Sequence, residues 1–261
     1  MIKKEYNNEM YFYLKINQDK KFALSNFDIW LQCISEFEKA KVAIVCDDYD
    51  VVDKLQSIID KTDIPYEVIN SFDLVDERMN LILELCKGRF LGAGRAHLTT
   101  FFHACSNGIK EFWNIDADDT RMLLPPSRIA SCLKIAETYA KKNGIDLFSL
   151  DMLENRKREI PGWTFGITYT NNNIDWINLM LKHLNDDKRV KVWDLTDCYA
   201  RNIDTYFMYL QYFGEANIQT FYFENLVFVH YYDDMLDRLH GAGIFWWKEG
   251  YLTYPLIELF V

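Results

Sequence analysis

Hydrophobic and polar positions in the first half of the chain switch repeatedly between the period of a strand and the period of a helix. Tyr11 to Ile16 alternates as a strand, and Ser25 opens a helical stretch through Lys39 whose apolar residues share one face. Lys41 to Cys46 is a continuous apolar run, typical of a central strand buried on both faces. Such alternation indicates an α/β fold with a mostly parallel central sheet.

The same pattern continues further along the chain. The other predicted elements are a helix from about Asp50 to Asp60, a strand from Tyr66 to Ile69, a helix from Thr99 to Ser106, a strand from Glu111 to Ile115, a helix from about Ser127 to Lys142, an apolar segment from Ile145 to Leu153 and a late strand from Leu226 to Val229. Gly108 and Gly144 follow two of these helices, at positions where glycine commonly ends a helix.

The organisation of the chain predicts a single domain over residues 1–261. No internal repeat or low-complexity linker divides it, although aromatic residues become frequent from Pro161 onward. With 261 residues, 49% of them hydrophobic, the chain can bury a sizeable core. We therefore expect one domain with two functional halves, residues 1–125 and 126–261.

Charge and cysteine usage narrow the class of protein. A net charge of -10 and a pI of about 5.0 argue against nucleic-acid binding, which favours a basic surface. The six cysteines form no Cys-x-x-Cys pair, so they predict neither a zinc site nor a disulfide framework. No signal-peptide pattern or membrane-spanning run is found, and we expect a cytoplasmic protein. Arg156, Lys157 and Arg158 form the best candidate for peripheral contact with the inner face of a membrane.

Carboxylates follow two of the predicted strands. Asp47-Asp48 ends the run from Lys41, and Asp116-Ala117-Asp118-Asp119-Thr120 ends the run from Phe112. Clustered carboxylates repel one another, so they persist most readily beside a divalent cation or a phosphate-bearing partner. For the cluster from Asp116 to Thr120, a solvated acidic turn or a helix N-cap is the simpler alternative.

In an open parallel sheet, ligands collect at the carboxyl ends of the strands, so both carboxylate sites are expected to face one crevice. Asp47 can accept hydrogen bonds from a base or a ribose hydroxyl. The second site can hold Mg²⁺ or Mn²⁺ on a diphosphate. The sequence thus predicts a pocket for a nucleoside diphosphate.

These features resemble the glycosyltransferases of the A-type fold, whose Asp-x-Asp motif at a strand end binds the metal and diphosphate of a nucleotide sugar. The resemblance covers roughly residues 10 to 125. The residues that carry it are Val42 to Asp47, Arg95-Ala96 with Ala104 and Gly108, the strand Glu111 to Ile115 that leads into Asp116-Ala117-Asp118, and the late strand Leu226 to Val229, which ends in His230. It implies a single Rossmann-like A-type domain, with residues 1–125 binding the nucleotide sugar and the aromatic-rich residues 126–261 binding the acceptor.

The resemblance also implies roles for individual residues. Asp118 is the principal metal ligand, Asp116 meets the sugar or ribose and the metal, and His230 is the third ligand for Mn²⁺ or Mg²⁺. His240, in His240-Gly241-Ala242-Gly243, competes with His230 for that role. Asp47 and Arg95 contact the donor.

An inverting reaction would also need a base to deprotonate the acceptor hydroxyl. Asp194 and Asp197 are the first candidates for that base. Whether the reaction inverts or retains the anomeric centre stays open, as do the sugar, the linkage and the oligomeric state.

The implied function is transfer of a sugar from a nucleotide-diphosphate sugar, UDP-linked in our expectation, to a hydroxyl of a glycan or lipid-linked acceptor. Bacterial surface-polysaccharide or lipooligosaccharide synthesis is the expected setting.

A rival resemblance is to phosphatases of the haloacid dehalogenase superfamily, with Asp116 as nucleophile, Asp118 as general acid and Asp233-Asp234 holding Mg²⁺. In that superfamily the nucleophile usually follows the first strand, whereas here more than a hundred residues precede it. A third reading is a sugar-binding protein without catalysis.

Overall fold

The computed structural model describes residues 9–16, 23–74, 76–86, 91–118, 120–122, 124–151, 166–171, 174–182, 216–222 and 226–228. Several residues with predicted roles lie outside these ranges, among them Asp194, Asp197, His230 and His240. No helix within them is long and apolar enough to cross a membrane.

The described residues form nine strands and six helices. The strands are β1 (Met10–Lys15), β2 (Ala40–Cys46), β3 (Tyr66–Asn70), β4 (Phe112–Asp116), β5 (Thr120–Met122), β6 (Leu147–Asp151), β7 (Ile167–Thr170), β8 (Ile218–Tyr222) and β9 (Leu226–Phe228). The helices are α1 (Ala23–Ile34), α2 (Asp50–Ile59), α3 (Glu77–Cys86), α4 (Leu91–Ser106), α5 (Pro126–Lys142) and α6 (Trp176–Lys182).

Seven strands form one sheet in the order β3-β2-β1-β4-β7-β6-β8. The neighbours β3, β2, β1 and β4 are parallel, β7 is antiparallel to both β4 and β6, and β8 is parallel to β6. All strands of this sheet except β7 therefore run in one direction. The predicted α/β fold with a mostly parallel central sheet is confirmed. A second sheet pairs β5 with β9 in antiparallel fashion.

The central strands are buried on both faces. In β1, Phe12 and Leu14 pack into a core that includes residues of α1, α2 and α5. Their neighbours Tyr11 and Tyr13 pack into a second core with residues of α3, α4 and α6. Because successive side chains of a strand point to opposite faces, this division places helices on both sides of the sheet. The prediction of a doubly buried strand is likewise confirmed for β2.

Helix boundaries differ from the predictions at two places. The first helix begins at Ala23 and ends at Ile34, so Ser25 lies inside it rather than at its N-cap, and the helix stops short of Lys39. Beyond its end the chain turns, and the ring of Phe37 packs edge-on against Phe12 with 4.9 Å between centroids. This packing explains why Phe37 fits the apolar face of the pattern without being helical.

The helix predicted from Thr99 begins at Leu91, so the glycine-containing run 92–95 is helical. Both predicted helix stops are present: Gly108 has φ 68° and Gly144 has φ 60°, in the left-handed region that favours glycine. Periodicity did not predict α3, α6, β5, β7 or β8.

Candidate functional site

The parallel register brings the ends of β2, β1 and β4 to one edge of the sheet. Lys15, the last residue of β1, lies opposite Val45 on one side and opposite Asp116 on the other. Asp47 follows Val45 by two residues. From the usual spacing of strands, the backbones at Asp47 and Asp116 are about 12 Å apart. The two carboxylate sites predicted to face one crevice therefore lie at the same edge.

Lys15 and Asp116 form a largely buried ion pair at this edge. The Nζ atom of Lys15 lies 2.7 Å from Oδ1 of Asp116, and the side chains are 4% and 19% exposed. The alternation of β1 places Lys15 on the same face as Tyr13, toward α4, and the register sets Asp116 beside it. A buried ammonium group needs a partner of opposite charge, and Asp116 supplies it.

His97 of α4 lies against this ion pair. Both of its ring nitrogens contact Nζ of Lys15, and its Nε2 lies 3.8 Å from Oδ2 of Asp116. Burial and then the charge of Lys15 hold the pKa of His97 well below its usual range, so the imidazole is neutral. The amide nitrogen of Asn114 lies 3.2 Å from Nδ1 of His97. Because an amide nitrogen only donates, we assign Nδ1 of His97 as the acceptor of this hydrogen bond.

Asp118 lies in the turn that follows β4, and it is only 7% exposed. Two side chains of α1 hold the backbone of this turn. The Nδ2 group of Asn26 donates to the carbonyl of Asp118 at 3.3 Å, and Nε1 of Trp30 donates to the carbonyl of Thr120 at 3.0 Å. On its other side, Thr120 pairs with Phe228 of β9. The segment that carries the two motif aspartates is therefore fixed by α1 and by β9.

Asp47 lies in a different environment, exposed beyond the end of β2. The hydroxyl of Ser71 donates to its Oδ1 atom, and the backbone N–H of Ser71 donates to the carbonyl of Cys46 at 2.8 Å. Within the described residues Asp47 has no ion-pair partner. Its neighbour Asp48 accepts a hydrogen bond from the backbone N–H of Asp50 at 3.0 Å, at the start of α2. Asp48 thus contacts the backbone at the start of α2, where the N-cap residue is Tyr49, and Asp47 does not.

Two exposed aromatic residues, Phe72 and Tyr49, lie near the C-terminal end of β3. The guanidinium carbon of Arg95 lies 4.8 Å from the ring centroid of Phe72, a cation–π contact, while Phe72 remains 54% exposed. The exposed Tyr49 donates a hydrogen bond to Asp73 at 2.6 Å. Arg95, predicted to contact the donor, is thus held at the same edge of the sheet as Asp47.

The motif carboxylates have the chemistry that a hard divalent cation prefers. Mg²⁺ and Mn²⁺ bind oxygen ligands, and Mg²⁺ commonly takes one or two carboxylates together with water and substrate phosphates. Asp116 and Asp118 fit that donor set. In the part of the chain that the structure describes, no group of three or more His, Cys, Asp or Glu side chains is arranged to hold a metal ion.

Several predicted site residues fall outside the described ranges: Asp119, Asp194, Asp197, His230, His240 and the Asp233-Asp234 pair of the phosphatase alternative. Conversely, sequence reasoning did not single out Lys15 or His97. The sequence did contain a signal for Lys15. It is the last residue of an alternating apolar strand, and the alternation points its side chain toward the interior. His97 could not be recognised in the same way, because the predicted helix began at Thr99. Only the start of α4 at Leu91 makes His97 helical and places it beside Lys15.

Comparisons with known proteins give structural but no sequence matches. No protein-family model matches the chain, and no curated protein has a significant sequence match to it. Among solved structures, the galactosyltransferase LgtC, in complex with donor and acceptor sugar analogs, shares 9% identity and a TM-score of 0.46 over 81% of this chain and 72% of its own.

Glucosyl-3-phosphoglycerate synthase from Mycobacterium tuberculosis, in complex with Mn²⁺, UDP and glucosyl-3-phosphoglycerate, shares 8% identity and a TM-score of 0.43, over 81% of this chain and 69% of its own.

Proposed function

We propose that the protein is a metal-dependent glycosyltransferase that moves a sugar from a nucleotide-diphosphate sugar to a hydroxyl of an acceptor. One observation carries the proposal: an exposed carboxylate at Asp47 and largely buried carboxylates at Asp116 and Asp118 lie at the same edge of a mostly parallel sheet. Their separation can be bridged by a nucleoside diphosphate. Neither carboxylate site alone would indicate a nucleoside diphosphate rather than a single metal ion.

The donor nucleotide binds at the Asp47 end of this edge. An exposed carboxylate accepts hydrogen bonds from the N–H of a uracil or from ribose hydroxyls, and Ser71 orients it. The exposed ring of Phe72 offers a face on which a base can stack. The guanidinium of Arg95 lies over the Phe72 ring and brings positive charge toward the diphosphate. UDP is accordingly the nucleotide that we expect.

The diphosphate binds at the other end, together with Mn²⁺ or Mg²⁺. Asp118 is the principal metal ligand and Asp116 contributes a second carboxylate or meets the sugar. When bound, the metal would act as a Lewis acid that offsets the charge of the departing nucleoside diphosphate. The residues of this chain contribute by fixing Asp118: Asn26 and Trp30 hold the turn in which it lies.

His230 is our candidate for the third metal ligand. Phe228 pairs with Thr120, which follows Asp118 by two residues, and His230 follows Phe228 by two residues. Two residues of chain span at most about 7 Å, and this short separation from Phe228 in the sequence is what supports His230 as the third ligand. His240 is the competing candidate, and substitution of each histidine by alanine, read by Mn²⁺ titration, distinguishes them.

The acceptor would bind to the half of the protein formed by residues 126–261. Asp194 and Asp197 are the residues proposed to deprotonate an acceptor hydroxyl if the reaction inverts the anomeric centre. A glycan or lipid-linked acceptor of bacterial surface-polysaccharide or lipooligosaccharide synthesis fits the proposal. Such an acceptor would suit a cytoplasmic protein that meets the membrane through Arg156, Lys157 and Arg158.

The test is to incubate the protein with UDP-, GDP- and ADP-linked sugars in the presence of Mn²⁺ and to follow release of the nucleoside diphosphate. Transferases commonly hydrolyse their donor slowly without acceptor, so one nucleotide sugar should release its diphosphate in a reaction that EDTA stops. No release from any donor, with or without added glycan acceptors, would contradict the proposal.

A phosphatase with Asp116 as nucleophile is the second candidate, and Lys15 is the observation that favours it. An ammonium 2.7 Å from a carboxylate could also steady a nucleophile and attract a phosphate ester. The two candidates separate in one assay. Rapid turnover of p-nitrophenyl phosphate, lost in Asp116→Asn, would support the phosphatase, whereas a transferase should leave that ester intact.

A further inference from the structure

The buried ammonium of Lys15 lies beside the proposed metal ligands, and the proposed function does not use it. Its side chain is 4% exposed and its Nζ atom is 2.7 Å from Oδ1 of Asp116. A pair of opposite charges held away from water is stable as a pair, but removal of one member leaves the other uncompensated. The protein therefore holds one of its two motif carboxylates by a positive charge of its own.

Two other polar side chains lie close to the ammonium of Lys15. His97 contacts the ammonium through its ring nitrogens, and Asn114 lies behind His97. Neither of these side chains brings a negative charge. Asp116, in contrast, stands directly opposite Lys15 in the parallel register, so backbone pairing fixes the contact.

We propose that Lys15 is a resident cation of the site, which neutralises Asp116 when no divalent ion is bound and opposes binding of Mn²⁺ to Asp116 and Asp118. The inference rests on the metal site of the proposed function. A metal ion that approaches Asp116 must share this carboxylate with Lys15, and two positive charges a few ångströms apart repel each other. Lys15 thus stabilises the metal-free protein and weakens its affinity for the metal.

Lys15→Met tests both consequences, because methionine fills a similar volume without charge. In EDTA the variant should melt at a lower temperature than the wild type, since Asp116 loses its compensating charge in a buried site. In calorimetric titrations with MnCl₂ alone, its affinity should rise about tenfold. Damage to the site would weaken Mn²⁺ binding, so the sign of the change separates electrostatic compensation from a merely structural role.

Three variants serve as controls. Lys15→Arg keeps the charge and should bind Mn²⁺ with nearly wild-type affinity. Lys41→Met removes a lysine that is paired with Glu67 at 3.2 Å on the neighbouring strand, and it should leave Mn²⁺ affinity unchanged. Lys15→Met combined with Asp116→Asn removes both charges and should regain part of the melting temperature that Lys15→Met loses in EDTA.

Unchanged or weaker Mn²⁺ binding by folded Lys15→Met would overturn the inference, and so would a melting temperature in EDTA equal to that of the wild type. If Lys15→Met does not fold, failure of the double variant to fold as well would overturn it. Absence of Mn²⁺ binding in both wild type and Lys15→Met contradicts this inference, whereas tightened Mn²⁺ binding without turnover of any nucleotide sugar contradicts only the proposed function.

Discussion

The carboxylates of Asp47 and Asp116 lie at the same edge of the sheet, yet their environments differ. Asp47 is exposed and accepts a hydrogen bond from the neutral hydroxyl of Ser71. Asp116 is mostly buried and is paired with the ammonium of Lys15. A carboxylate that is open and uncompensated suits recognition of neutral N–H and O–H groups, whereas one held among charges suits a site where cations and phosphates are exchanged.

The difference arises from strand register. Asp116 is the last residue of β4 and stands opposite Lys15, while Asp47 lies beyond the end of β2 and meets Ser71 beyond the end of β3. The aspartate at the last paired position of β4 is therefore mostly buried. The aspartate one residue beyond the last paired position of β2 is exposed to solvent. The comparison predicts that substitutions at the two sites will affect nucleotide binding in different ways.

Substitution of Asp118 by asparagine should have the largest effect. Because Asp118 is the proposed principal ligand, the affinity for UDP in the presence of Mn²⁺ should fall by about 100-fold or more. Calorimetric titration measures the change. Asp60→Asn, at an exposed position at the end of α2, is the matched control and should bind UDP as the wild type does. Wild-type affinity in Asp118→Asn would overturn the assignment of this residue.

Substitution of Asp47 by alanine should weaken UDP binding by about tenfold to a hundredfold, the loss expected for hydrogen bonds to a charged acceptor. The factor should be the same with and without Mn²⁺, because Asp47 does not meet the metal. Asp53→Ala, exposed on α2, is the control. A loss confined to the Mn²⁺-containing titration would remove the distinction between the two carboxylate sites.

Replacement of Trp30 by phenylalanine should have an intermediate effect on the motif turn. It deletes the hydrogen bond to Thr120 and should lower the free energy of unfolding by about 1 to 2 kcal/mol and Mn²⁺ affinity several-fold. Trp113→Phe is a matched control, since Trp113 is equally buried but its Nε1 has no hydrogen-bond partner among the described residues. Chemical denaturation and Mn²⁺ titration report the two quantities, and equal losses of Mn²⁺ affinity in both variants would contradict the role of α1.

Removal of the Ser71 hydroxyl should have the smallest effect. Ser71→Ala leaves Asp47 in place but less well oriented, so UDP affinity should fall about threefold to tenfold. Ser35→Ala deletes a hydroxyl contact at an exposed position outside the site, to the carbonyl of Gln32, and should leave UDP binding unchanged. A loss in Ser71→Ala as large as that in Asp47→Ala would mean that the serine itself binds the nucleotide.

Much of this edge could be predicted from the sequence, because short-range patterns determine it. The apolar run to Cys46 and the run to Ile115 predicted β2 and β4, and with them the strand-end positions of Asp47 and Asp116. Contacts between distant segments could not be read in this way. The pairing of Lys15 with Asp116 depends on which strands are neighbours, and the support of the motif turn by Trp30 depends on where α1 packs.

The most direct test of the account is calorimetric titration of the wild-type protein with UDP, in parallel samples containing MnCl₂ or EDTA. If Asp116 and Asp118 hold a metal on the diphosphate while Asp47 holds the nucleoside, UDP should bind in MnCl₂ at least about tenfold more tightly than in EDTA. Equal affinity in the two samples, or no binding of any nucleoside diphosphate in MnCl₂, would contradict it.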